Sequence, residues 1–136
     1  YIVGRFLIVR IDVLEERGTA GEVVPPREAL LGMLGIFGEA GLSPALVVQF
    51  WGEAMVDADL KAEMTRTAGR LFAALTTALL PWARTRTSSE EDAADLARHA
   101  ARSLAALAQG YIANAAVFGA LDPAEYVEAA ASVLAS

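Results

Sequence analysis

At 136 residues with no cysteine, the chain is long enough to bury a core as a single domain, and a disulfide framework or thiolate zinc site is excluded. Its formal net charge of -6 repels a phosphate backbone, so this stretch is not expected to bind nucleic acid by itself. Charges, prolines or polar side chains interrupt every apolar run short of the roughly 18 residues of a membrane span, so no membrane partner is expected; with no cysteine, a cytoplasmic location is the default. The start at Tyr1, with neither methionine nor signal peptide, reads as a fragment of something longer.

Helix signals recur along the chain and strand signals do not. Ile2 to Val13 carries Phe6, Val9 and Val13 at three-and-four spacing, which predicts a first helix. Arg17-Gly18 supplies a basic last turn and a glycine free to take positive φ, and Thr19 to Val24 then reads as a loop. From Pro26, a stripe of Leu30, Leu31, Leu34, Phe37 and Leu42 predicts a second helix closed by Gly41 after Ala40. Ser43-Pro44 gives a cap acceptor and a first-turn proline for a third helix, running to about Val56. Asp57 caps a fourth, along which Leu60, Met64, Ala68, Leu71, Phe72, Leu75 and Leu79 repeat, with Pro81 expected to kink or end it.

Ser88 and Glu91 have the spacing of a capping box, and no breaker intervenes before Phe118. The fifth helix is therefore expected to run about 28 residues, or about 42 Å. Asp122-Pro123 starts a short final helix through Tyr126, Val127, Ala130 and Leu134. The fold class is all-α, an antiparallel bundle of about six helices. Residues 1–17 read as a connecting helix and 26–136 as the domain proper.

The long helix has two distinguishable faces. Leu96, His99, Ala100, Ser103, Leu104, Leu107, Tyr111, Asn114, Ala115 and Phe118 form a bulky stripe expected to face the chain's own core. Ala94, Ala97, Ala101, Ala105, Ala108, Ile112 and Ala116 form a second stripe, almost entirely of methyl groups. Alanine's helix propensity could account for the second stripe without any packing purpose. However, no charge occurs after Arg102 through Phe118, as a solvated face would require. The methyl stripe is therefore read as a seam between two copies of the chain, joined by Val127, Ala130 and Leu134 of the last helix in an intersubunit four-helix bundle.

Residues suited to chemistry are few. His99 stands without metal-ligand spacing, the serines sit at caps or in a helix interior, and Glu53, Asp57, Asp59 and Glu63 have the look of caps and first-turn acids. No catalytic residue, metal or cofactor is expected. Gly32, Gly35 and Gly38 lie inside an apolar helix and form no phosphate cradle. What remains is a dispersed set of large or flexible side chains, Met33, Phe37, Trp51, Met55, Phe72, Leu107 and Tyr111, with Asn114 as a polar handle. Core packing explains each alone, but such residues also line ligand sites between bundle helices.

The segment FWGEAMVDADL, Phe50 to Leu60, followed by Met64 and a long amphipathic helix, resembles the stretch after the short sixth helix in TetR/AcrR-family transcriptional regulators. LAALAQGYIANAAVFGALDP, Leu104 to Pro123, is similar to that family's penultimate helix and the turn into its last. The resemblance implies an effector-binding domain that forms a homodimer through its last two helices. It also implies an upstream helix-turn-helix domain, absent before Tyr1, through which operator DNA would be bound. The first helix would then match the connecting helix. The function expected on this basis is a regulatory domain, in the repressor sense, whose small apolar or amphipathic effector changes operator affinity. Alternatives are a dimerisation scaffold without effector, or a small helical enzyme using His99 with a carboxylate.

Overall fold

A computed structural model of the chain describes residues 12–39, 41, 43–119 and 121–134, without the side chains of Phe37, Glu39 and Leu134. The predicted first helix, from Ile2 to its basic last turn at Arg17, therefore lies mostly outside the described residues, as do Ala40 and Leu42. The described part is all-helical: α1 (12–19), α2 (Pro26–Glu39), α3 (Pro44–Ala54), α4 (Ala58–Arg84), α5 (Glu90–Phe118) and α6 (Pro123–Leu134). Among these residues no helix is long and apolar enough to cross a membrane.

Helix α1 ends two residues later than expected, and for a different reason. Gly21, not Gly18, takes the left-handed conformation (φ +82°). Its N–H donates to the Gly18 carbonyl at 3.0 Å and the next N–H, of Glu22, to the Arg17 carbonyl at 3.1 Å, satisfying carbonyls that a helix end leaves open. Arg17 also donates to the carboxylates of Glu22 and Glu28, holding the Glu22 carboxyl below the usual carboxylate range and tying α1 to the first turn of α2. Between the two helices, Val24 is fully buried.

Gly18 has a steric role instead. A Cβ there would lie 2.4 Å from the Thr77 carbonyl oxygen and 2.6 Å from Ala78 Cα, so α1 rests directly on the backbone of α4. That carbonyl is the one whose helical donor is missing, because residue 81 is proline. Helix α4 nevertheless continues through Pro81 to Arg84 with the ring buried, so of the two expected outcomes, a kink or an end, the end does not occur there. Gly18→Ala would gain about 1 kcal/mol from helix propensity alone, but the clash should reverse that into a loss of about 1–3 kcal/mol. A lowered urea midpoint is the expected result; a raised one would mean that α1 can move off α4.

The caps follow the sequence closely, with two adjustments. Asp57 accepts from the N–H groups of Asp59 and Leu60 at 3.0 and 3.1 Å. At α5 the cap is Ser89, one residue after the one expected, and its hydroxyl accepts from Asp92 N–H at 3.1 Å. Arg84 bonds Glu90 across the turn, so the ion pair helps place the chain reversal at this register. Ser43 occupies the cap position of α3, but its side chain makes no cap bond there.

Helices α4 and α5 pack along one another, and α5 also touches α3 and α2, while α6 lies on α2. The long helix is thus the centre of the bundle. Leu75 and Leu79 of α4 and Leu30 and Leu34 of α2 are fully buried, in one core with Ala93, Ala97 and Ala101 of α5. Large side chains on the outer helices fill the space that small ones on the central helix leave.

Candidate functional site

The predicted seam lies inside the bundle. Ala97 and Ala101 are 0% exposed, Ala108 4% and Ile112 3%, all covered by the chain's own helices, while Ala105 and Ala116 are half-buried. Those four buried positions offer no surface to a second copy. Their methyl groups admit α2, α3 and α4 close to the α5 axis, which is why the stripe is small. On α6, Val127 is buried and Ala130 half-buried against the same core, and the side chain of Leu134 lies outside the described set.

The bulky stripe divides correspondingly. Leu104 and Ala115 are buried as expected, but His99, Ser103 and Asn114 are exposed and Phe118 is 80% exposed. The outward side of α5 past Arg102 carries Ala106, Gln109, Ala113 and Val117, an uncharged strip that ends beside exposed Phe118 and Leu121.

The expected pocket residues do not converge. Met33 is a core residue of α2, and the side chain of Phe37 lies outside the described residues. Phe72 has its ring covered by the Arg102 guanidinium at 5.2 Å, and Leu107 packs against the core. Tyr111 and Tyr126 meet edge to face at 5.2 Å and lock the α5–α6 corner. The Tyr111 hydroxyl donates to the Leu121 carbonyl at 2.8 Å and that of Tyr126 to the Leu107 carbonyl at 2.6 Å. Burial pushes the Tyr126 hydroxyl pKa up. Asn114, meant as the polar handle, donates back to the Gly110 carbonyl within its own helix. Tyr111 and Asn114 thus spend their polar groups on the backbone.

Of the expected pocket residues, Trp51 and Met55 share a described concave site. They line an open groove of about 270 Å³ between the end of α3 and the beginning of α4, with Lys61, Met64, Thr65 and Ala68 forming the opposite wall. The groove exists because the first half of α4 extends past the core: no residue from 58 to 70 is buried, and Ala54 is the only buried residue of α3. On α4 the lining residues fall at i, i+3, i+4 and i+7, one helical face counted from the Asp57 cap. Met64 and Ala68 belong to the apolar stripe predicted along α4, whereas Lys61 and Thr65, one charged and one polar, carry no such signal.

Two of the chain's three methionines and one of its two tryptophans line this groove, and Met55 is 77% exposed. Lys61, the one lysine in the sequence, stands on its rim, and among the described residues it has no carboxylate partner. The Thr65 hydroxyl donates to the Lys61 carbonyl at 2.8 Å, leaving the apolar side of that threonine for the groove. Among the described residues no three histidine, aspartate or glutamate side chains gather where they could hold a metal ion. No protein-family model, curated protein or solved structure matches this chain.

Proposed function

We propose that this chain is the effector-binding and dimerising domain of a TetR-like transcriptional regulator, a cytoplasmic repressor whose DNA affinity changes when a small apolar or amphipathic molecule binds. The observation that carries the reading is the α3–α4 groove, lined by Trp51 and by the adaptable side chains of Met55 and Met64. No bond is made or broken in this reading. The effector acts by binding two arrangements of the domain unequally.

The resemblance of Phe50 to Leu60 and of Leu104 to Pro123 to that family supports the assignment, as does the order of helices. The buried alanine face requires a different dimer surface from the one the sequence suggested. The uncharged strip Ala106, Gln109, Ala113 and Val117, beside Phe118, is the surface that fits a second copy. Operator DNA would be read by a helix-turn-helix unit upstream of Tyr1, and α1 would transmit the change. Gly18 seats α1 on α4 at Thr77, and an Arg70–Asp12 ion pair at 2.9 Å ties the two helices, so a shift of α4 at the groove would reach α1 directly.

The test is a titration of the protein, with its upstream sequence, on operator DNA in the presence of a groove ligand. A five- to 150-fold fall in DNA affinity is expected, the range of ordinary allosteric couplings. A bound ligand that leaves DNA affinity unchanged would remove the switch. A second reading, a scaffold without effector, is favoured by one observation: at about 270 Å³ the groove lies just below the usual range for ligand pockets.

A further inference from the structure

We infer that the α3–α4 groove takes a small hydrophobic monocarboxylate, with the acyl or aryl body along Trp51, Met55 and Met64 and the carboxylate at Lys61. The inference rests on the effector reading above and adds a site and a charge to it.

Size and shape limit the occupant first. A groove of about 270 Å³ is too small for most drug-sized ligands, and its open side excludes none of the shorter chains. Its walls are methionine, tryptophan and alanine side chains, which recognise apolar surface without directional bonds.

Charge then selects among apolar molecules. The protein is acidic overall, and its other cations are arginines, several of them engaged: Arg17 with Glu22 and Glu28, Arg70 with Asp12, Arg84 with Glu90, and Arg98 with Asp95. Lys61 has no such partner among the described residues and stands where the apolar wall ends. The acid one turn before it, Asp57, accepts two backbone N–H groups at Oδ1 as the cap of α4 and forms no ion pair with it. An amphiphile with a single negative end would place that end at Lys61 while burying its body. A neutral one would forgo the ion pair, and a cationic one would meet a like charge at Lys61. A partner helix or a lipid surface would need a longer apolar track than this groove offers.

The three methionines give a direct readout. In the protein labelled with 13C at the methionine methyls, sodium octanoate below its micellar concentration should shift Met55 and Met64 saturably and leave core-buried Met33 in place. Octanol should bind about three- to fivefold more weakly, the ratio an exposed ion pair supplies, and octylamine more weakly still. Lys61→Gln, at an exposed position that should not disturb the fold, should weaken octanoate by the same factor, leave octanol unchanged and remove the loss of octanoate affinity on adding salt. Octanoate binding that is insensitive to Lys61→Gln, or no tighter than octanol binding, would overturn the charge assignment. A shift at Met33 instead of Met55 and Met64 would overturn the site while leaving an internal effector possible. No methyl shift with any of the three would overturn the inference, and the operator titration would still decide the regulator reading separately. Binding of vesicles but not of free octanoate would also overturn it, in favour of a lipid surface.

Discussion

Ala108→Glu should unfold the protein rather than separate two copies of it. Ala108 is buried in the single chain, and a carboxylate there would enter an apolar interior. A cost of several kcal/mol is expected, a large part of the roughly 5–15 kcal/mol that holds a domain of this kind. Circular dichroism should show helicity lost at temperatures where the parent is folded. Val117→Glu, on the outward side of the same helix and 71% exposed in the parent, should keep its helicity. If the proposed dimer surface is right, it should sediment as a monomer. The pair separates the two faces of α5: a folded Ala108→Glu protein that had merely lost self-association would return the alanine stripe to the intersubunit seam.

Leu79→Ala should cost about 2–5 kcal/mol, because Leu79 is fully buried in the α4–α5 layer and faces a helix already reduced to alanines. The surrounding small side chains cannot extend to fill the space, so the cavity should persist and the loss should fall toward the upper half of that range. Denaturant unfolding measures it, with Leu46→Ala as a control. Leu46 is 61% exposed on α3, and its truncation should change stability by no more than about 0.5 kcal/mol. Equal losses at the two positions would contradict the described core.

The α3–α4 groove and the outward strip of α5 are at different places on the bundle, and α4 links the groove to α1. In the regulator reading this separates the tasks, with effector at α3–α4, partner at α5 and output through α1. Gly18 is then a mechanical contact, since any rotation of α4 must move the helix that its backbone touches.

Local residue patterns suffice for helices α2 to α6 and most of their ends. Asp57, the Ser88-Ser89 pair, Pro26, Pro44 and Pro123 act on backbone groups two to four residues away, so their effect is local and legible, to within the one-residue slip from Ser88 to Ser89. Pro81 does not end α4, because a missing hydrogen bond is only one cost and burial against neighbouring helices outweighs it. Tertiary structure alone decided which side of α5 is interior. Alanine lets any backbone approach closely, so its stripe could equally receive a second copy or the chain's own helices. With α2, α3 and α4 around α5, the small face turned inward. The candidate site followed the same rule: Trp51 and Met55 met Met64 and Lys61 only because α4 extends past the core, and the reach of one helix beyond another is a property of the assembled bundle rather than of any local spacing.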